Sequence, residues 1–389
     1  MKIAIITETF LPSTDGVVTR LVHSIRYFLH QGHDVRVIAP DLGVDEFEGA
    51  KVDGVKPRTL PIYRSKKFAL PTRRVRKMLK EYDPDVVHVV NPALLGVSGV
   101  RYAKQLGYPL VASYHTHVPR YLDYYNLGMF KGLLWWYFRK LHNQADLNLC
   151  TSKAVKDELD EKDFHHVHVW KRGVDTEMFH PDRFDSDMRE RLSGGQPEKK
   201  LLLFVGRLAA EKEIEKIRSV LDASDEFVLA IVGDGPHRQE LEEYFSNTNT
   251  VFTGFLHGED LAKAFASSDV FVFPSTTETL GLVIMEAMAS GLPIVAAKSG
   301  PTCEQIEDYR TGLLYDKNRP DDFKETVLKF RDETLRKRLS SAAHQDIAEM
   351  GWDIQSKQAL ELYQKVAHIN DESLEQSKGK TAGISTGND

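Results

Sequence analysis

Residues 271–288 read FVFPSTTETLGLVIMEAM. An apolar run ends at Pro274. A short polar turn brings in Glu278, and after Thr279, Leu280 and Gly281 a helix-prone segment carries Glu286. The two carboxylates stand eight positions apart. On one uninterrupted helix they would share a similar face. The Thr-Leu-Gly interruption instead predicts a turn first and a helix N-terminus second. Such an N-terminus offers backbone N–H groups and a positive dipole end to an anion such as a diphosphate. A carboxylate beside it accepts hydrogen bonds from sugar hydroxyls. Phosphate and sugar recognition in one loop is the profile of a nucleotide-sugar site. Alone, the segment fits equally well a buried strand followed by an amphipathic helix with two surface glutamates.

A second stretch upstream separates these readings. LLLFVGRLAAEK, Leu201 to Lys212, is an apolar strand followed by Gly206, Arg207 and Lys212. Arginine supplies a planar fork of donors and lysine a mobile point charge, the two parts of a diphosphate clamp. Outward from these two stretches, strand-like and helix-like runs alternate along the chain, which predicts βαβ units and parallel sheets. Strands are expected at Lys2–Ile6, Asp34–Ala39, Val86–Val90, Leu110–Tyr114, Asp146–Cys150 and Val167–Trp170 in the first half. In the second half they are expected at Leu201–Val205, Phe227–Val232, Val251–Thr253, Val270–Phe273 and Pro293–Ala296. The predicted fold class is α/β, two doubly wound domains facing a cleft. The first spans 1–171 and the second 172–352. A last helix over 353–367 is expected to pack back on the first domain, and a Ser-, Gly- and Lys-rich tail, 371–389, to be disordered.

Composition narrows the functions. The chain has 389 residues, 41% hydrophobic and 28% charged, an ordinary globular balance with room for two cores. Its two cysteines build neither a disulfide framework nor a zinc site. No apolar stretch approaches the roughly 18 residues of a spanning helix, and no signal peptide opens the chain, so a cytoplasmic protein is expected. Residues 1–170 carry 24 Lys and Arg against 18 Asp and Glu, whereas the whole chain has a net charge of −6. The first half is thus a candidate for an anionic surface. From Arg64 to Lys80 there are eight basic residues and no acidic one, interleaved with apolar side chains. Such a stretch is either a solvated face or a contact with an anionic bilayer through Arg73, Arg74, Arg76 and Lys77. Phe130–Leu141 is a second apolar stretch, read as a helix that is partly core and partly a lining for a lipid acceptor. No nucleic-acid recognition module is visible. No G-x-G-x-x-G follows the first strand, which argues against a dinucleotide oxidoreductase.

Taken together these residues resemble the family-four retaining glycosyltransferases of GT-B fold. The resemblance is carried by Glu278 to Glu286, by Gly206-Arg207 with Lys212, by VGDGP (232–236), KRGVD (171–175), PDVVH (84–88) and SYHTH (113–117). It covers about residues 1–368. SYHTHVPRY (113–121), WKRGVDTEMFHP (170–181) and MRERLSGGQPEK (188–199) look like the sulfoquinovosyl-diacylglycerol synthase branch and bacterial glycolipid glycosyltransferases. Two loops depart from the family pattern: Gly300-Pro301 stands where two glycines are usual, and Asp15-Gly16 replaces a double glycine.

The resemblance implies transfer of a sugar, from a UDP-linked or other nucleotide-sugar donor, to a membrane lipid such as diacylglycerol or a glycolipid, by an enzyme peripheral on the inner face of the membrane. It implies His115 and Glu278 at the donor sugar and Arg207 and Lys212 on the leaving diphosphate. Gly16, Thr279, Leu280, Gly281 and Leu282 would line the donor, Glu286 would hold its ribose, and His117 and Arg120 would face the acceptor. A soluble sugar or polysaccharide precursor is the alternative acceptor, and a two-lobed solute-binding protein the alternative of another class. Asp83-Pro84-Asp85 spells a metal-binding D-x-D but is read as a cap and turn before a strand. Neither a metal nor another cofactor is expected.

Overall fold

The computed structural model describes residues 1–13, 15–60, 63–117, 119, 128–276 and 280–382, with 60, 63–66 and 369–382 described by backbone alone. The first-half strands are β1 Lys2–Thr7, β2 Asp34–Pro40, β3 Glu46–Phe47, β4 Ala50–Val55, β5 Pro57–Leu60, β6 Tyr63–Ala69, β7 Val86–Val90, β8 Leu110–Tyr114, β9 Leu147–Cys150 and β10 Val167–Val169. Eight of them form one sheet in the order β10-β9-β8-β7-β1-β2-β4-β3, while β5 and β6 pair as a separate antiparallel hairpin. The second half supplies β11 Lys200–Val205, β12 Phe227–Val232, β13 Thr250–Gly254, β14 Val270–Phe273, β15 Ile294–Ala297 and β16 Leu313–Tyr315. These make a second sheet, β13-β12-β11-β14-β15-β16, with parallel pairing throughout. Two Rossmann-like domains are thus built, one per sheet.

The central strands are apolar without alternation because both their faces are covered. Ile3 and Ile5 enter one core and Ala4 and Ile6 another, on opposite faces of the first sheet. Leu201 and Leu203 part from Leu202 and Phe204 in the same way in the second. Strand order reverses between β1 and β7 in the first sheet and between β11 and β14 in the second. Crevices for ligands open at the carboxyl ends of strands where such reversals occur. The loops after β1, β7, β11 and β14 are therefore the ones the fold exposes to a ligand.

The helices used below are α1 Gly16–His30, α2 Arg74–Tyr82, α3 Leu95–Leu106, α4 Lys131–His142, α5 Lys153–Glu161, α6 Leu282–Ala289, α7 Gly300–Cys303 and α8 Trp352–Ala382. The chain crosses between domains twice, and the crossings lie side by side. The Val174 N–H donates to the Met350 carbonyl at 2.9 Å, and Val174 and Gly351 form a parallel bridge. A Cβ at Gly173 would lie 2.7 Å from the Trp352 ring, so glycine is what lets the two segments approach. After the second crossing α8 packs on α1. Trp352 stacks on His23 at 4.8 Å, the Trp170 indole donates to the Gln355 carbonyl at 3.0 Å, and the Gln355 amide donates to Ser24 Oγ at 2.7 Å.

Several elements differ from expectation. The hairpin of β5 and β6 takes the first part of the basic run, so Arg64–Lys80 is a strand and then a helix, not one amphipathic stretch. Helix α8 continues to Ala382, past the end expected near Ala367 and through much of the tail expected to be disordered. Helices at Lys153–Glu161, Ser186–Leu192 and Glu333–Ile347 were not signalled. The aromatic stretch after Phe130 is helix α4. It buries Phe138 and Leu141 but leaves Leu133 60% and Trp136 49% exposed, beside Met129 at 87% and Phe130 at 47%.

Candidate active site

The loop after β11 carries the basic pair. Gly206-Arg207 leaves the strand end, and Lys212 closes a 3-10 turn, Ala210–Lys212. This loop rests directly on the VGDGP turn. The Gly206 N–H donates to the Val232 carbonyl and the Leu208 N–H to the Asp234 carbonyl, each at 3.0 Å. A Cβ at Gly233 would fall 1.9 Å from the Gly206 oxygen, and one at Gly235 2.1 Å from the Leu208 oxygen. Both glycines are required by this backbone-on-backbone contact, which sets the height of Arg207 above the sheet. The Arg207 guanidinium pairs with Glu211, a carboxylate with no exposed surface. Nothing in the spacing pointed to Glu211, which reads as one more charge beside Lys212.

The loop after β14 is pinned from three sides. The Tyr315 hydroxyl donates to the Pro274 carbonyl at 2.8 Å, the Ser275 hydroxyl to the Glu211 carbonyl at 3.4 Å, and the Gln305 amide to the Leu280 carbonyl. Gly281 then takes φ 67°, a left-handed value that a side chain would strain, and α6 begins at Leu282. Close approach to a ligand had been the expected reason for this glycine; the backbone angle is a second one. Glu286 lies one turn into α6, its carboxyl partly buried and without a hydrogen-bond partner among the described residues. Burial pushes its pKa up to about 7. Glu278 and Thr279 lie outside the described residues, as does Arg120.

The first domain meets this loop directly. Asp15 caps α1 by accepting from the Val18 N–H at 3.2 Å, and Gly16 is the first helical residue. A Cβ on Gly16 would stand 3.0 Å from Leu282 Cδ1 of the second domain. Gly16 and Leu282 thus meet across the cleft, where Leu280, Gly281 and the start of α6 lie on the second-domain side. The N-terminus of α3 is already occupied: Glu8 accepts N–H bonds from Ala93, Leu94, Leu95 and Gly96 at 2.7–3.1 Å.

His115 sits at the end of β8. Its backbone N–H and that of Thr116 both donate to Asn91 Oδ1 at 3.3 Å, from a residue at φ 51° after β7. His115 Nε2 lies 2.9 Å from Ser113 Oγ. Burial, then the nearby Arg20, holds its imidazole well below the ordinary range, so the ring is neutral. His117, expected at the acceptor, is placed otherwise: its ring is buried against Trp135 and Tyr114, with Nε2 2.8 Å from Glu158. The aromatic packing around α4 draws it inward.

Asp83 and Asp85 lie at the opposite end of the sheet from the cleft. Asp83 is the left-handed C-cap of α2 and accepts from the Tyr108 hydroxyl at 2.9 Å, while Asp85 accepts from the Lys2 N–H at 2.7 Å. Among the described residues no group of three His, Cys, Asp or Glu has metal-binding geometry. Arg73, Arg76 and Lys77 line an open groove of about 610 Å³ between α2 and α3, with Lys80 and Arg101. Arg74 is exposed on the same helix. Among the described residues no helix is long and apolar enough to cross a membrane.

The two domains also touch beside the site. The Glu304 carboxylate accepts from the Lys153 N–H at 2.9 Å and from the Ala154 N–H, at the N-terminus of α5. A Cβ at Gly300 would be 2.5 Å from Ala154 Cβ. The Arg172 guanidinium, on the first crossing, donates to the Glu304 carbonyl at 2.9 Å. Glu304 gave no sequence signal because its partners are backbone groups of a helix that was itself not foreseen.

Comparison with known proteins follows the same division. Residues 14–178 match the family model Glycosyltransferase Family 4, and residues 189–346 match Glycosyl transferases group 1. The chain is 38% identical to the sulfoquinovosyl transferase SQD2 of Arabidopsis thaliana, over 87% of this chain and 68% of that protein. It is 37% identical to a GDP-mannose-dependent alpha-mannosyltransferase of Mycobacterium tuberculosis, over 94% and 97%. An alpha-monoglucosyldiacylglycerol synthase of Streptococcus pneumoniae is 28% identical over 81% and 75%. Among solved structures, that of Anabaena HepE in complex with UDP-glucose superposes with a TM-score of 0.77 at 19% identity, covering 94% of this chain and all of the other.

Proposed function

The chain belongs to glycosyltransferase family 4, and we propose that it moves a sugar from a nucleotide-sugar donor, UDP-linked, to a membrane lipid such as diacylglycerol or a glycolipid, with retention and without a required metal. That membership removes the solute-binding reading. One observation carries the donor half of the proposal. The Arg207–Lys212 loop and the start of α6 rise from β11 and β14, the two strands between which the order reverses, and Gly16 closes on Leu282 from the other domain. A diphosphate set there meets two side-chain cations and the positive end of a helix. Glu286 supplies a carboxylate for the ribose hydroxyls, the role at the sugar is assigned to Glu278, which lies outside the described residues, and His115 approaches the sugar from the first domain.

Ser113, within hydrogen-bond reach of His115, is fully buried and is not read as a nucleophile, so a covalent glycosyl-enzyme is not the course proposed. The acceptor hydroxyl attacks on the face the diphosphate leaves, and the departing phosphate oxygen takes its proton. Arg207, Lys212 and the α6 N–H groups neutralise the charge that builds on the leaving group, the task a metal performs elsewhere.

The lipid half rests on the exposed apolar residues around α4 and the basic groove of α2 and α3, both on the first domain. These suit a protein that works at a membrane surface. The glucosyldiacylglycerol synthase among the relatives is a lipid enzyme by name. The mycobacterial relative, named for GDP-mannose, makes a guanine donor the second reading.

The test is a transfer assay with UDP- and GDP-sugars against extracted lipids and soluble sugars, in EDTA, with product NMR. Transfer to lipid in chelator with a retained anomeric linkage is expected. Transfer to soluble sugars alone would overturn the acceptor, an inverted linkage the mechanism, and magnesium-restored activity the metal assignment.

A further inference from the structure

A continuous chain of side-chain hydrogen bonds runs from α8 to His115. The Tyr363 oxygen lies 2.6 Å from His88 Nδ1. His88 Nε2 lies 2.8 Å from Ser113 Oγ, which lies 2.9 Å from His115 Nε2. Tyr363, His88 and Ser113 are each at most 1% exposed, so bulk solvent does not reach them. Trp170 packs edge-on against both imidazoles and Arg20 lies over its ring at 4.4 Å, closing the surround.

The polarity of this chain follows from counting donors. Burial and the Arg20 charge push His88 down to about 3, so its ring is neutral and has one donor and one acceptor nitrogen. Burial also pushes the Tyr363 hydroxyl far above its ordinary range, so it keeps its proton. Among the described residues His88 is the partner that hydroxyl reaches. If His88 Nδ1 carried the proton, the phenol would bury an O–H with no acceptor, which is costly. The Tyr363 hydroxyl therefore donates to Nδ1, and His88 Nε2–H donates to Ser113. The Ser113 oxygen could accept from both rings, but its own buried O–H would then lack an acceptor among the described residues, so it donates to His115 Nε2.

We infer that Tyr363 is a positioning residue for the transfer reaction: through His88 and Ser113 it fixes His115 as the tautomer protonated on Nδ1. The inference rests on the proposed place of His115 at the donor sugar. A histidine so fixed is a hydrogen-bond donor through Nδ1 and meets a sugar hydroxyl or phosphate oxygen as an acceptor. The tautomer is set from the far side, since the proton on one ring nitrogen is decided by the bond the other makes. Tyr363 also lies on the helix that follows the second domain crossing, so the state of His115 depends on that helix being seated.

The experiment is NMR of the full chain labelled with ¹⁵N-histidine, without substrate, the His115 resonances identified by their loss in His115→Gln. Two-bond couplings separate the two neutral tautomers. The Nδ1–H form is expected for His115 in the wild type. In Tyr363→Phe and in Ser113→Ala it is expected to give way to the Nε2–H form, with kcat about tenfold lower and donor KM within about twofold. An Nε2–H tautomer in the wild type would overturn the inference. So would an Nδ1–H tautomer that persists in both variants. Should the tautomer switch as stated while the wild type transfers no sugar from any nucleotide donor, the functional reading fails and the relay stands.

Discussion

Arg207 meets a carboxylate before it meets a substrate. Its bond to the fully buried Glu211 holds the guanidinium in place, so removing it has two costs. Arg207→Ala should lose about 2–4 kcal/mol of transition-state stabilisation. It should also lose about 1–3 kcal/mol of fold stability, because Glu211 is deprived of this partner. Lys212→Ala should show the kinetic loss with a smaller effect on unfolding. Single-turnover rates and urea melts of both variants check this, and equal melts would contradict the special place of Glu211. Glu286 makes a second prediction. Burial raises its pKa from the ordinary 4.5 to about 7, so between those pH values the native state holds a proton there that the unfolded chain has lost. Its contribution to stability is present below about pH 4.5 and fades as pH rises through 7. Glu286→Gln, without ligand, should therefore raise Tm at pH 8 and leave it unchanged at pH 4. If the proposed ribose contact uses the ionised carboxylate, nucleotide binding should weaken in the wild type as pH falls below 7. A flat affinity from pH 6 to 8 by calorimetry would contradict this use of the side chain.

At the scale of elements, α5 has two caps: its own Ser152, which accepts from the Val155 N–H, and Glu304 of the other domain. Glu304 does for Lys153 and Ala154 what an N-cap does within a chain, and losing such a cap costs about 0.5–2 kcal/mol. Here that cost falls on domain closure, because the bond joins the two halves. Glu304→Ala should open the apo protein, seen as a larger radius of gyration by solution scattering, and raise the donor KM while each domain keeps its own melt. No change in scattering would show that the contact is incidental. The same element marks what could be read in advance. Buried central strands announce themselves as unbroken apolar runs, and Leu201–Val205 and Phe227–Val232 were legible to within a residue. Helix Glu333–Ile347 was not, because it buries Leu339, Ala343 and Ile347 on a narrow stripe among charged neighbours. The positions of the basic pair after β11 and of Gly281 and Glu286 around the start of α6 were legible, because a strand end followed by glycine marks where the chain turns. Glu211, Asn91 and Glu304 were not, since each acts on a neighbour by packing or on backbone that only the fold brings near.

For the whole molecule, charge and apolar surface are divided unequally, and the membrane proposal can be tested on that division. Each basic residue near an anionic bilayer contributes about 1 kcal/mol, screened as salt rises. Exposed Leu133 and Trp136 would add a part that salt does not screen. Replacing Arg73, Arg74, Arg76 and Lys77 by Ser should abolish the salt-sensitive part of vesicle sedimentation. Leu133→Ser with Trp136→Ser should remove the part that survives high salt. Wild-type binding that ignores both lipid charge and salt would return these surfaces to ordinary solvated faces. The side-by-side crossings at Val174 and Gly351 carry a last consequence. A single tether between two bodies permits rotation about three axes, like a ball joint. Two tethers clamped together by a backbone hydrogen bond and wedged at Gly173 against Trp352 resist twist and leave one easy swing, like a door. Such a hinge would confine any opening of the cleft to one arc, with Gly16 returning to the same Leu282 on closing.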